Sequence, residues 1–245
     1  MSPTKSAPLK LSVVIPVYNE QNTIGEVIDR VRSVDLGAIV KEIIISDDGS
    51  TDATPWVIQE HCKDSTELIK VHTSPVNLGK GAAVRLGLSY ATGDIVIIQD
   101  ADLELDPIEY KRMIEPIVAG HADVVYGSRF LQKSNKPPLR TRLANRFLTM
   151  LTNVLFRAQL SDMETAYKAF RREVVTGLRL RCVRFDFEPE ITAKLLLAGY
   201  KIHEVPISYN PRTPEEGKKI SWLDGVEAVY TLLRCRFEGS SRGRC

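Results

Sequence analysis

The chain has 245 residues, 43% hydrophobic and 26% charged, with a net charge of +2 at pH 7. That is ordinary globular material, enough for one large domain or two small ones, and it reads as one domain with a short tail. No run approaches the ~20 apolar residues that span a bilayer, and the opening "MSPTKSAPLK" lacks the apolar centre of a signal peptide, so the expected location is the cytoplasm.

The small net charge conceals a division. Residues 1–126 hold 11 Lys/Arg against 19 Asp/Glu, residues 127–184 hold 13 against 3, and residues 185–245 hold nine of each. An acidic half suits a cation, and a basic half suits phosphate or an anionic surface. Nucleic acid is a poor fit to the basic half, which has no nucleic-acid-binding signature and few aromatics between its charges. Cys62, Cys182, Cys235 and Cys245 fit no metal-ligand spacing and are read as reduced thiols.

In chain order, "LSVVIPVYNE" opens with an apolar strand stopped by Pro16. A helix follows, with Ile24, Val27, Ile28 and Val31 on one face and Thr23/Glu26 as a capping box. "KEIIISDD" is the second strand, again apolar until it ends in acids. A helix near 54–63, a strand at 67–72, a helix near 80–91 and a strand at 94–99 repeat the pattern. Asp106, Pro107 and Glu109 then supply an N-cap, an N1 proline and an N3 acid for another helix, ahead of the strand "ADVVYG". Alternating helices and fully apolar strands predict a parallel sheet covered on both faces, with ligands outside the carboxyl ends of the strands.

Beyond Gly127 the alternation weakens. "LRTRLANRFLTMLTNVLFRAQ" reads as a basic helix with Leu143, Phe147, Met150, Leu151, Val154 and Leu155 down one side. Its Arg140, Arg142 and Arg146 form a stripe suited to solvent or a membrane surface. "FDFEPEITAKLLLAGYKIHEVPISYNPRT" reads as a helix, a strand and a loop, and Trp222, Val226, Val229, Tyr230 and Leu233 mark a last amphipathic helix. The expected layout is a flexible 1–10, one domain over 11–220, that helix over 221–237 and a flexible 238–245.

Three strand ends carry the chemistry: Pro16–Glu20, Asp47–Asp52 and Asp100–Glu104. Burying like charges together is costly unless a cation or ligand compensates them. Asp-x-Asp at the end of a strand supplies hard oxygen ligands for Mg²⁺ or Mn²⁺, ions commonly shared with substrate phosphates.

In that order, "SVVIPVYNE", "EIIISDDGSTDAT", "NLGKGAAVRLGL", "IVIIQDADLELDP" and "VVYGSRF" resemble the family 2 glycosyltransferases with the GT-A fold. "DMETAYKAFRREV", "FEPEITAKLLLAGYKIHEVPISY" and "RTPEEGKK" are similar to the branch containing dolichol-phosphate mannose synthase and dolichyl-phosphate glucosyltransferase. The resemblance implies an α/β, Rossmann-like, mostly parallel sheet with helices on both faces. It implies inverting hexose transfer from a UDP- or GDP-sugar to a polyprenyl phosphate, with Mg²⁺ or Mn²⁺, at the cytoplasmic face of a membrane. It also admits a transmembrane partner subunit.

By that resemblance Pro16, Tyr18, Glu20, Ile45 and Asp47 line the nucleoside pocket, with Asp48 and Lys80 supporting donor binding. Asp100, Ala101 and Asp102 hold the sugar diphosphate, and Asp100, Asp102 and Glu104 the metal. Glu104 stands where the mannose synthases have glutamine, and "NLGKG" is closer to the glucosyl branch. Arg129, Arg212 and Lys218 meet phosphates of donor or acceptor. "YNPRTPEEGKK" is expected to be a mobile loop closing over the donor, whose exposed Arg212 contributes little to folding. An acceptor phosphate is already ionised at neutral pH and needs no base. A sugar or protein hydroxyl acceptor would need one, with Asp162 the nearest motif candidate. A nucleotidyltransferase would show a Gly-rich loop after the first strand, and "IPVYNE" has none. A non-catalytic nucleotide-sugar binding subunit is the remaining alternative.

Overall fold

The computed structural model describes residues 8–63, 68–132, 139–212 and 222–241. Seven strands form one sheet: β1 (Lys10–Val17), β2 (Val40–Asp47), β3 (Leu68–Thr73), β4 (Ile95–Ile98), β5 (Val124–Ser128), β6 (Lys168–Arg171) and β7 (Ile202–Pro206). Their order across the sheet is β3-β2-β1-β4-β6-β5-β7. β6 alone runs antiparallel, between β4 and β5. The helices are α1 (Ile24–Ser33), α2 (Thr54–Cys62), α3 (Lys80–Tyr90), α4 (Tyr110–Val118), α5 (Leu139–Phe156), α6 (Arg172–Thr176), α7 (Phe187–Leu197) and α8 (Trp222–Ser241).

Alternation along the strands explains the layers, because successive side chains point to opposite faces. Val13 and Ile15 of β1 join α1, α2 and α4 in one core. Val14 of β1 and Ile44 of β2 face the other way, onto α3, α6 and α7. Both faces of the central strands are covered, so the middles of β1 and β2 and all of β4 are apolar. At the amino-terminal end of the sheet Glu42 has no exposure. It accepts hydrogen bonds from Ser12 Oγ and from the amides of Thr92 (2.7 Å) and Gly93 (3.1 Å), and pairs with Lys10 at 2.8 Å. Burial works against its charge, but these partners prevail and hold the carboxyl at about 2.

Two local expectations change. Thr23 stands at the N-cap of α1 but makes no capping bond; its hydroxyl turns back to the Glu20 carboxylate at 3.0 Å, so the capping box does not form. Asp106 does cap, accepting from the Ile108 amide at 3.0 Å, and a 3₁₀ turn over Pro107–Glu109 leads into α4.

The third core joins α5, α7 and α8. α5 buries Asn145, Leu148, Thr149 and Thr152. Leu143, Phe147, Met150 and Val154, the stripe read from the sequence, face outward, Val154 being 72% exposed. Only Leu151 and Leu155 of that stripe are partly covered. α8 likewise exposes Leu223, Val226, Tyr230 and Phe237. No helix among the described residues is long and apolar enough to cross a membrane.

Candidate active site

The carboxyl ends of β1, β2 and β4 open into one cleft of about 670 Å³, whose walls include Pro16, Tyr18, Asp48, Lys80, Asp100 and Asp102. Antiparallel β6 brings its amino end to this same edge, which is how the "SDMET" segment reaches the site. The loop before α3 is held by Asp48, which accepts from the amides of Leu78 (3.0 Å) and Gly79 (2.6 Å). Burial and the charge of Asp47 push the Asp48 carboxyl up in spite of those bonds. Gly79 has φ +115°, and a Cβ there would stand 2.5 Å from the Val183 carbonyl, so only glycine lets this loop lie against 182–184.

Gln99 is fully buried and fixes the acidic loop. Its amide nitrogen donates to the carbonyls of Asp100 and Leu105, and its oxygen accepts from Tyr110 and Tyr167. Lys80 bridges Asp100 at 3.0 Å and Glu188 at 2.9 Å; burial opposes its charge, but the two carboxylates hold it charged. Among the described residues no cation pairs with the Asp102 carboxylate; Arg212 is itself paired with Glu20. Burial, then the charges of Asp100 and Glu104, push Asp102 up to about 7, against the opposing charge of Arg212. Leu103 sits between the two acids at φ +54°, a left-handed turn unusual for a branched residue. It turns Glu104 toward the carboxyl-terminal loop, where the carboxylate accepts from Tyr209 Oη and the Arg212 amide, each at 3.0 Å.

Across the cleft stands Arg129. Its guanidinium meets Asp162 through Nε and Nη2, each at 2.7 Å, and the Arg129 amide donates to the same carboxylate. Asp162 has no exposure. Glu204 in turn accepts from the amides of Ser161 and Asp162, so the clamp is anchored on β7. The Tyr209 ring packs under the Arg129 guanidinium, 5.3 Å from its centroid.

One cleft thus sets an acidic pair against a buried, fixed cation. Residues 12–178, more than half of the chain, match the family model described as glycosyl transferase family 2. The chain belongs to that family. It is 31% identical to a dolichol-phosphate mannosyltransferase of Pyrococcus furiosus, covering 92% of this chain and 64% of that protein. It is 32% identical to an undecaprenyl-phosphate 4-deoxy-4-formamido-L-arabinose transferase of Pectobacterium atrosepticum, covering 92% and 67%. The chain spans between 34% and 67% of the length of such curated relatives. Among solved structures, glucosyl-3-phosphoglycerate synthase from Mycobacterium tuberculosis in complex with Mn²⁺, UDP and glucosyl-3-phosphoglycerate superposes with a TM-score of 0.70 at 24% identity. The match covers 93% of this chain and 80% of that one. The fold is the GT-A arrangement that the family resemblance implies.

Most of the residues nominated on the family's pattern do meet: Pro16, Tyr18, Glu20, Asp48, Lys80, Asp100, Ala101, Asp102, Glu104, Arg129 and Arg212 all border the cleft. Ile45 does not. It lies in the core beneath α1 and α2, because β2 is covered on both faces. Asp47 also lies outside the cleft wall; one of its oxygens accepts from the Ser50 amide at 3.0 Å. Glu104 departs from the expected metal trio, since its oxygens are committed to Tyr209 and Arg212. Among the described residues no three His, Cys, Asp or Glu side chains form a ready cation cage.

Asp162, nominated as a base, is instead enclosed and clamped. Lys218 lies outside the described residues, as does all of the expected loop beyond Arg212, residues 213–219. Arg212 is not an exposed cation. It is paired through both terminal nitrogens with Glu20, at 2.7 and 3.2 Å, and only 13% of its side chain is accessible. The expectation of an unchanged melting point is therefore replaced. Arg212→Ala should lower stability by about 1–3 kcal/mol as well as slowing transfer, measurable by urea unfolding beside the assay.

The sequence reading missed Gln99, Glu164, Glu188 and Tyr209. Gln99 had a usable signal, a lone amide closing the apolar run "IVII". The others lie on segments whose approach to the cleft depends on β6.

Proposed function

We propose that the chain transfers a hexose, with inversion, from a UDP- or GDP-sugar to a polyprenyl phosphate at a membrane surface. The observation that carries this reading is the pairing, in one cleft, of the Asp100–Asp102 acids with the clamped Arg129. An acidic end suits a metal-bound diphosphate, and a fixed guanidinium suits a second phosphate. Asp100 and Asp102 fit a Mg²⁺ or Mn²⁺ ion: Asp102 is buried beside like charges, the donor set of an ion shared with substrate. When bound, such an ion supplies charge stabilisation for the departing nucleoside diphosphate.

The chain's own groups do the rest. The loop from Pro16 to Glu20 and Asp48 receive the nucleoside. Lys80 keeps Asp100 in place, and Arg129 orients the acceptor phosphate for in-line attack on the anomeric carbon. A phosphate nucleophile brings its own negative charge, so the enclosed state of Asp162 is consistent with a positioning role. The same enclosure weakens the hydroxyl-acceptor reading, which needed Asp162 as base. The names of the curated relatives also support a polyprenyl phosphate acceptor. The test is a thermal-shift screen of UDP- and GDP-hexoses with Mn²⁺, followed by transfer to a polyprenyl phosphate in detergent. A ligand that binds only the native state raises its melting point. No stabilisation by any nucleotide sugar would refute the proposal.

The membrane surface is part of the proposal. The outward apolar stripes of α5 and α8 flank the cleft, whose wall includes Ala144, Leu148 and Gly225 from these helices. Arg140 and Arg146 are exposed on α5, which suits an anionic leaflet. The chain should sediment with anionic liposomes at low salt and less at high salt. Phe147→Asp with Val154→Asp should abolish sedimentation while leaving nucleotide binding intact. Failure to bind at low salt would remove this part of the proposal.

A further inference from the structure

Glu164 has no place in the reading above, and its surroundings are unusual. It borders the same cleft as Asp100, Asp102 and Arg129. Its Oε1 is buried and accepts no hydrogen bond. An acceptor left so is destabilising. The segment that carries it is nevertheless firmly held. Asp162, two residues earlier, clamps Arg129, and the buried Lys168 donates to the carbonyls of Met163 and Thr165, on either side of Glu164. Lys168 also lies over the Tyr126 ring, 4.5 Å from its centroid. Burial, with the charge of Glu188 next, pushes the Glu164 carboxyl up to about 7. Glu188 has its own partner in Lys80. Glu164 is therefore an acid held in the cleft wall at a stability cost, with one oxygen left without a partner among the described residues.

The chemistry of the two substrates limits what that oxygen can face. A nucleoside diphosphate and a polyprenyl phosphate are both anions, and a carboxylate repels both. The neutral hydrogen donors are the base and ribose of the nucleoside and the hydroxyls of the sugar ring. The nucleoside goes to Pro16–Glu20 and Asp48 in the proposed function, whereas Glu164 follows the Asp162–Arg129 clamp, which leaves the sugar ring. We propose that Glu164 is a specificity-determining residue that accepts a hydrogen bond from a ring hydroxyl of the transferred hexose. This rests on the proposed hexose transfer. It adds a sugar-reading group on β6's approach, separate from the diphosphate end of the cleft. A site built to accept from a hydroxyl rejects the analogue that lacks it, because its acceptor is again left unpaired.

The test uses UDP-glucose and GDP-mannose, each with its 2-, 3-, 4- and 6-deoxy analogues, on wild type, Glu164→Gln and Glu164→Ala. Wild type should favour the parent donor over one deoxy analogue by about tenfold or more in kcat/KM. Glu164→Ala should erase that preference at that one position and leave the other positions unchanged. Glu164→Gln, which keeps a neutral acceptor, should retain part of it. Affinity for UDP or GDP with Mn²⁺ should stay within about twofold of wild type in both variants, since neither nucleotide carries the hexose that Glu164 would read. A merely structural role would lower all donors and the bare nucleotides together, and that outcome overturns the inference. So does an unchanged deoxy profile in Glu164→Ala. Wild type that binds neither nucleotide sugar overturns the proposed function instead, and this inference with it.

Discussion

Asp102→Asn is expected to lower hexose transfer by about a hundredfold or more while the metal-free protein melts no lower than wild type. The two effects have one cause. In the free protein the Asp102 carboxyl is disfavoured as an anion by burial and by Asp100 and Glu104, which raise it from 3.8 to about 7. Between those values the folded state holds the proton that the unfolded chain has released. The contribution of this group to stability therefore falls as pH rises from about 4 to about 7, and stays low above that. Asparagine carries no charge and removes the penalty. The loss appears only where the anion is needed, against a divalent ion and diphosphate. Melting curves at pH 5 and pH 8, with and without Mn²⁺, separate the two: Mn²⁺ should stabilise wild type at pH 8 and leave the variant unmoved. Equal Mn²⁺ response in both proteins would contradict the assignment.

The second large effect concerns Arg129 and Asp162. Arg129→Ala leaves a carboxylate of zero exposure without its cation, and breaking such a buried pair costs about 3–5 kcal/mol. Stability and transfer should fall together. Arg129→Lys is the more informative variant. An ammonium keeps the charge but cannot bridge both Asp162 oxygens while presenting a planar edge to phosphate. It should lower kcat/KM for the polyprenyl phosphate by about ten- to a hundredfold, with the affinity for nucleotide sugar nearly unchanged. Steady-state kinetics with each substrate varied would read the split directly. A donor-side loss would reassign Arg129 to the departing diphosphate.

The sheet and its three acid-tipped strands were legible because an apolar run that ends in carboxylates has few structural explanations. The parts that were not legible share a different cause. An extended i, i+2 rule puts Asp100, Asp102 and Glu104 on one side, but β4 ends at Ile98 and Leu103 turns left-handed, so the third acid leaves the set. Ile45 was nominated by the family's pattern alone, and a strand buried on both faces gives no periodic signal by which to check the side it faces. β6 was invisible for its shortness and for Lys168, a residue that composition assigns to the surface. Arg212 looked exposed because its partner, Glu20, lies 192 residues away in sequence, beyond any local pattern.

The central position of β6 also bears on how the molecule is made. As a chain emerges from the ribosome, β1 to β4 are complete, and can pair as the half-sheet β3-β2-β1-β4, before β6 exists. Until then β4, "IVII", is an open edge with nothing on its far side, the kind of edge that pairs with a neighbouring chain. Closure waits for residues 168–171, which must insert between β4 and β5 across a sequence separation of about 70 residues, a slow kind of contact to form. The Asp48–Asp102 end of the cleft is thus assembled early and the Arg129–Asp162 end late. Nascent protein passes through an interval in which a strand destined for the centre of the sheet is its most adhesive surface.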